Sequence, residues 1–322
     1  MFVSFIIPCY RESKQQLDRA LDSLLFLNSL CEWEAWIVDD GSSEAKVCDW
    51  VAARNDVHLH AFRQTNQGPS LARNAALQWA RGEYVAFLDA DDELIPSEYA
   101  KVIALAMNER PDAVGLRYKS TETPYFDGVA ADFMCRYDIV PCAWAYVIRR
   151  DVLDNLGFTP GIYHEDEEFV TRMFLGIHRI IMTTIVAYRY NATPGSITKS
   201  RDEAHLNKRF DDLLGVIGRM QGLLKEMTDR HGVDSLVVRA LDRRIHVMAM
   251  CVVVNLIRDA YSSSFVRQKL SVLRSLNLYP LPSYKGINRY GWIRLLSWRP
   301  WMVVLWHRVV GSTTPESPSP PC

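Results

Sequence analysis

The stretch Tyr84-Val85-Ala86-Phe87-Leu88-Asp89-Ala90-Asp91-Asp92 sets the architecture. Its first five residues form an apolar run without polar alternation. That pattern predicts a strand buried on both faces, as in a parallel sheet. The run ends in a cluster of carboxylates, extended by Glu93. An apolar strand that stops in several acids is costly unless a cation or hydrogen bonds compensate. Hard carboxylate oxygens suit Mg2+ or Mn2+. A solvated acidic loop capping the following helix is the alternative, and spacing alone does not separate the two.

The same grammar recurs on either side. Val3 to Ile7 is a short apolar run ended by Pro8, and Ala35 to Val38 is another, ended by Asp39-Asp40-Gly41-Ser42. Val57, Leu59 and Ala61 suggest a third strand, and Asp112 to Tyr118 a further one after Tyr84 to Leu88. Between them lie helical patterns. Ser13 caps one that carries Leu17, Leu21, Leu24 and Leu25 on one face. Others run from about Glu44 to Arg54, from Gly68-Pro69-Ser70 to Trp79, and from a Ser97 cap to about Asn108. Strand and helix in alternation predict an α/β fold, a mostly parallel sheet flanked by helices. Ligands of such sheets bind beyond the carboxyl ends of the strands. Both acidic clusters fall on that edge.

Further on, Tyr118 to Pro141 is irregular, either a loop or an antiparallel extension. Glu165 to Leu175 reads as a helix and Arg179 to Tyr190 as a strand. After residue 200 the pattern is helical: His205 to Arg230, Ser235 to Asp259 and Ser264 to Leu276. We expect a sheet domain over 1–200, a helical region over 201–311 and a disordered tail over 312–322, where Pro and Ser dominate.

Composition narrows the function. The chain has 322 residues, which at about 150 per domain fits two domains. The formal net charge is −1, from 37 basic and 38 acidic side chains, so there is no overall signature of a nucleic-acid partner. The 7 cysteines stand singly and in odd number, without a CxxC pair. A zinc knuckle and a disulfide scaffold are both disfavoured, and reduced thiols in the cytoplasm are the simple reading. The N-terminus lacks a basic leader region and reads as a strand. No stretch reaches the roughly 18 uncharged apolar residues of a membrane span. The nearest, Val247 to Ile257, contains Asn255 and reads as a buried helix.

Two further segments carry candidate chemistry. In Asn66-Gln67-Gly68-Pro69-Ser70-Leu71-Ala72-Arg73-Asn74, Arg73 lies about one turn into a helix, where a guanidinium can reach an anion. Taken alone, a surface arginine is the simpler reading. Tyr163-His164-Glu165-Asp166-Glu167-Glu168 sets four acids at a helix start. A carboxylate there can serve as a general base, or the acids can simply complement the helix dipole.

Together these pieces resemble the family 2 glycosyltransferases, which have the GT-A fold. The resemblance rests on Pro8-Cys9-Tyr10, Val38-Asp39-Asp40-Gly41-Ser42, Asn66-Gln67-Gly68 with Ala72-Arg73-Asn74, Phe87-Leu88-Asp89-Ala90-Asp91-Asp92 and His164-Glu165-Asp166, in the family's order over roughly residues 1–200. It implies that Asp89-Ala90-Asp91 is a DxD element, with Asp91 on a Mn2+ or Mg2+ ion and Asp89 near the ribose or the metal shell. It implies that Asp39 and Asp40 meet the nucleotide, with Arg73 nearby and Pro8 and Tyr10 lining the pocket. Asp166 then matches the catalytic base, with Glu165 beside it. Tyr188-Arg189-Tyr190 through Ser196-Ile197-Thr198 is similar to the segment that closes over the diphosphate, so Arg189, Ser196 and Thr198 join the candidate residues. The QxxRW element of processive members is absent; Gln221-Gly222-Leu223-Leu224-Lys225 does not match it. The resemblance therefore implies inverting transfer of one sugar from a nucleotide-sugar, foremost a UDP-sugar, to a saccharide or lipid-linked saccharide acceptor in bacterial-type surface polysaccharide synthesis.

Other readings compete. A nucleotidyltransferase needs a Gly-rich basic phosphate loop near the first strand, and Pro8-Cys9-Tyr10-Arg11 is not one. No GxGxxG follows that strand, against an NAD enzyme. A sugar-nucleotide-binding or scaffolding protein with a degenerate site is disfavoured because every expected carboxylate is present. In the last third, Trp292 to Arg308 mixes Trp with Arg and lacks acids. That fits an interfacial helix giving peripheral contact through 286–311 with the inner face of the cytoplasmic membrane. It also fits a helix with its Trp residues packed in the core and Arg on the wet face. The helices between 201 and 280 offer a surface for a homo-oligomer.

Overall fold

In a computed structural model the protein is described over residues 1–43, 46–120, 123–191, 202–258 and 261–281. Two compact units divide the chain, Met1–Phe133 with Val140–Ser196, and Met134–Ile139 with Ile197–Cys322. The closing-segment candidates Ser196 and Thr198, the 286–311 stretch and the 312–322 tail lie outside the described residues.

The first unit opens with β1 (Val3–Cys9), α1 (Lys14–Asp22), β2 (Trp33–Asp39), α2 (Val47–Ala53), β3 (Leu59–Arg63), α3 (Pro69–Leu77) and β4 (Tyr84–Phe87). It continues through β5 (Glu93–Leu94), α4 (Pro96–Glu109), β6 (Ala113–Arg117), β7 (Phe126–Val129) and α5 (Ala130–Arg136). It closes with β8 (Tyr146–Arg149), α6 (Glu165–Gly176), β9 (Arg179–Val186) and β10 (Tyr188–Arg189). Eight strands form one sheet in the order β3-β2-β1-β4-β8-β6-β9-β7, and β10 pairs with β5 in a second. β1 runs parallel to β2 and β4, and β2 to β3. β8 is antiparallel to both β4 and β6, so β6 points the same way as β4. The carboxyl ends of β1, β2, β4 and β6 therefore share one edge.

Burial explains the apolar runs. Val3, Phe5, Ile6 and Ile7 are fully buried, as are Tyr84, Val85 and Ala86. Strands covered on both faces need no polar alternation. Ser13 caps α1 through a capping box with Gln16, as its sequence predicts. That helix stops at Asp22; Leu24 is buried but Leu25 is 40% exposed, so the expected stripe ends one residue short. Ser97 is not a cap: Ile95 holds that place and Pro96 opens α4, since proline's fixed φ suits a first helical turn. The region 118–141 contains the antiparallel extension, with β7 pairing β9. β8 was not expected from the sequence, which is short there and preceded by a 3-10 turn, Ala143–Ala145.

The second unit is helical: α7 (Glu203–His231), α8 (Leu236–Arg258) and α9 (Ser263–Ser275). Met248, Val252, Val253 and Leu256 of α8 are buried, which accounts for the apolar run there. Among the described residues no helix is long and apolar enough to cross a membrane.

Candidate active site

The first half of the shared edge is built around Asp39 and Asp40. Asp39, the last residue of β2, accepts from the Ser42 amide at 2.9 Å and from Arg63 Nη1 at 3.0 Å. Asp40 Oδ1 accepts from Gln64 Nε2 at 2.8 Å and the Gln67 amide at 2.9 Å, and Oδ2 from the Gly68 amide at 2.8 Å. Both side chains are buried; the Asp40 carboxylate and the Asp39 backbone carbonyl, which accepts from the Gln64 amide, tie the Gln64–Gly68 segment to the end of β2. Two glycines make this possible. A Cβ on Gly41 would sit 2.7 Å from the Asn66 amide nitrogen, and Gly68 holds φ +87 as it enters α3. Pro8 is half-buried beside this turn and Tyr10 is 38% exposed. The left-handed Arg11 (φ 70) sets its guanidinium 4.7 Å over the Tyr10 ring and donates its amide to Ser42 Oγ at 3.1 Å.

The second half is organised by Arg73. Its Nη2 meets Asp89 Oδ1 at 3.0 Å, and its Nη1 meets Glu165 Oε1 at 3.0 Å and Asp166 Oδ1 at 3.1 Å. Arg73 is therefore no surface arginine; its side chain is 6% exposed, while Asp89 keeps 31%, Glu165 16% and Asp166 18%. The cation is sealed and the acids stay open to a ligand. Burial works against the Arg73 charge, but Asp166, Asp89 and Glu165 outweigh it and raise its pKa. The Asn74 amide exchanges two 2.8 Å hydrogen bonds with the Phe158 backbone, fixing α3 against the segment before α6.

Asp166 lies in the first turn of α6, whose N-cap is His164 at φ 64. Its Oδ2 accepts from the Ala143 amide at 3.0 Å. Burial pushes its carboxyl well above the usual carboxylate range, with Arg73 opposing and Glu165 and Asp89 adding to the rise. The four acids at this helix start are not equivalent: Glu167 and Glu168 turn into the protein and are buried, and Glu168 Oε1 accepts from Thr159.

The loop after β4 is braced from β10. The Tyr188 hydroxyl donates to Asp92 Oδ2 at 2.8 Å and accepts from the Asp89 amide at 3.3 Å. The Asn191 amide donates to Asp92 Oδ1 at 2.7 Å. Tyr188 also stacks on Trp144, centroids 4.1 Å apart. Trp144 follows Ala143, so one small frame touches both the Asp89–Asp92 loop and Asp166. Ala90 is buried within that loop. Arg189 is directed at Glu93, 3.3 Å away.

The sequence reading passed over Glu12. Burial raises its pKa, and Asp91 adds to the rise. Glu12 thus shares the edge with Asp91; its place three residues past β1 was the available signal. Asp92 is pushed up to about 8, by burial and then by Asp89, with Asp91 adding. This crowding of negative charge is what a bound cation would relieve. Among the described residues no group of three His, Cys, Asp or Glu side chains forms a metal cage. Asp89 and Asp91 instead offer the one or two carboxylates that Mg2+ and Mn2+ accept when substrate oxygens complete the shell. The residues present fit such an ion.

Comparison with known proteins decides the family. Residues 4–160 match Glycosyl transferase family 2. The first unit is a family 2 glycosyltransferase domain. The chain is 26% identical over 259 residues to the glycosyltransferase YibD of Escherichia coli, covering 73% of each chain. It is 35% identical over 114 residues to the succinoglycan biosynthesis protein ExoO of Rhizobium meliloti, covering 35% of this chain and 30% of that one. The fold is that of S. aureus TarS 1–349, solved with UDP-GlcNAc: TM-score 0.68 at 17% identity, covering 97% and 91% of the two chains. A mannosyltransferase from Pyrobaculum calidifontis, solved with GDP-Man and Mn2+, aligns with TM-score 0.54 at 18% identity, covering 96% and 86%. The GT-A architecture of this glycosyltransferase agrees with the fold expected from its sequence.

Proposed function

We propose that this glycosyltransferase moves one sugar from a nucleotide-sugar, foremost a UDP-sugar, to a saccharide or lipid-linked saccharide acceptor, with inversion at the anomeric carbon. One observation carries the reading: Arg73 gathers Asp89 from the end of β4 and Glu165 and Asp166 from α6 within 3.1 Å. A donor-side carboxylate and a candidate base are thereby held on one guanidinium, both partly exposed. The succinoglycan relative supports a role in surface polysaccharide synthesis.

Each residue then has a task. Pro8, Tyr10, Asp39 and Asp40 shape the nucleotide pocket, the two acids through the turn they tie down. Asp91, with Asp89 and the buried Ala90 on the same loop, would hold Mn2+ or Mg2+. Bound there, the ion would supply Lewis-acid neutralisation of the leaving diphosphate. Asp166 takes the proton of the acceptor hydroxyl as that oxygen bonds to the anomeric carbon. The bond from the anomeric carbon to the diphosphate oxygen breaks on the opposite side, and the nucleoside diphosphate departs with the electron pair. Displacement from one side inverts the configuration. The raised pKa of Asp166 makes it a stronger base than an ordinary carboxylate. Glu165 shares Arg73 and keeps that cation from lowering Asp166 further. Holding both substrates in one cleft supplies further acceleration.

The test is donor turnover across a panel of UDP- and GDP-sugars with Mn2+, for the wild type and Asp166→Asn. We expect turnover with one donor and a fall of about 10²–10⁴-fold in the variant, the usual worth of a general base. UDP affinity should change less than about twofold. Wild-type turnover in Asp166→Asn would overturn the assignment of the base.

A further inference from the structure

Among the described residues, Arg117 is a buried cation without a counter-charge. It ends β6 on the shared carboxyl edge and is 2% exposed. Its Nε and Nη2 are sealed from solvent with no hydrogen-bond partner; Nη1 is not sealed off in this way. The contrast with two equally buried arginines is sharp. Arg73 and Arg243 also leave Nε unmatched, but their Nη groups reach Asp89, Glu165 and Asp166 in one case and Asp138 in the other. Among the described residues no carboxylate acts on Arg117. Burial lowers its pKa, and the neighbour opposing that is the Tyr146 phenol. A buried charge with unmatched donors loses its hydration without return, so it calls for an explanation beyond packing.

Position narrows the explanation. The sheet order sets β6 two strands beyond β4, on the side away from β1, β2 and β3. At roughly 4.8 Å per strand that is about 10 Å from the Asp89 strand, away from the Asp39–Asp40 turn. The β6–β9 register shifts between Gly115 and Arg117. Such a bulge re-aims the side chain that follows it, and bulges gather beside active sites. Tyr118 comes next, edge-on to Trp144, which stacks on the Tyr188 that braces the Asp89 loop. Exposed Lys119 then adds a second positive charge to the same stretch, 5.1 Å over the Tyr118 ring.

We propose that Arg117 binds an oxyanion carried by the acceptor, a phosphate or carboxylate group, in the half of the site beyond β4. The inference rests on the transferase reading above, which supplies the need for an acceptor. A guanidinium is a charge-assisted donor suited to both oxyanions, and the nitrogen a ligand would meet is Nη1, the one left open. A neutral saccharide would leave the buried charge uncompensated. The acceptor class is thereby narrowed to anionic saccharides and saccharides borne on phosphate.

The test uses the full chain with the nucleotide pocket filled by saturating UDP and Mg2+. Inorganic phosphate and acetate are titrated separately by calorimetry into the wild type, Arg117→Gln and Arg117→Lys. We expect at least one of the two anions to bind the wild type, at least tenfold more weakly Arg117→Gln, and at least threefold more weakly Arg117→Lys, which keeps the charge but loses the guanidinium. UDP affinity should stay within twofold in all three. Absence of anion binding to the wild type, or equal binding to the variants, overturns the proposal. Should Arg117→Gln fail to fold, as circular dichroism would report, Arg117→Lys decides alone. Failure of the wild type to bind UDP would count against the donor assignment, whereas phosphate titration without UDP would still decide the role of Arg117.

Discussion

The two ends of the shared carboxyl edge hold their acids in opposite ways. At the end of β2, each carboxylate oxygen of Asp39 and Asp40 is matched by the protein itself, through Ser42, Arg63, Gln64, Gln67 and Gly68. At the end of β4 and the start of α6, three acids divide one buried arginine. Asp92 and Glu12 add raised, repelling carboxyls nearby. The first arrangement is closed and holds a turn in shape. The second is left with excess negative charge on partly exposed acids. That difference separates scaffolding from chemistry better than the mere presence of aspartates does.

Substitutions can break the comparison. The largest loss of stability should follow Arg73→Gln, which strips three acids of their cation. Removing one partner of a buried ion pair costs about 3–5 kcal/mol, and the partial exposure of the acids favours the lower end. A fall in the denaturant midpoint at unchanged slope is the measure. Next comes Asp40→Ala, which frees two backbone amides and Gln64; bonds to a charged acceptor make this about 2–3 kcal/mol. Smaller again, Tyr188→Phe removes one hydroxyl while keeping the stack on Trp144, for about 1 kcal/mol.

The sharpest contrast lies in Asp166→Asn. Its folded carboxyl sits above the unfolded value, so ionisation opposes folding. Stability from this group is complete below the unfolded pKa and is lost as pH rises through the folded one. Asp166→Asn should therefore equal or exceed the wild type in stability at pH 8, whereas Asp40→Ala falls below it. Melting both variants at pH 5 and pH 8 checks this, and an Asp166→Asn that is less stable at pH 8 than at pH 5, relative to wild type, contradicts it.

Much of the fold was written in local pattern. β1, β2 and β4 are continuous apolar runs because both faces are covered, and α1 carries its own capping box. β8 escaped because Tyr146–Arg149 is short, antiparallel and inserted between strands distant in sequence. The site was legible as acids at strand ends, but not as a network. Arg73 reads locally as a surface residue of an amphipathic helix; its partners lie 16 and 92–93 residues away, and only the packed sheet brings them together. Arg117 falls within the strand expected over Asp112 to Tyr118, with nothing local to single it out. Its meaning comes from missing partners, which no local pattern carries.

The central claim is that the excess charge around Asp89 and Asp91 awaits a cation-borne nucleotide. The direct measurement is calorimetric titration of UDP into the full chain with Mn2+ and again with EDTA. The account predicts binding with Mn2+ that weakens at least tenfold under EDTA. Equal affinity in the two buffers, or no UDP binding in either, would contradict it.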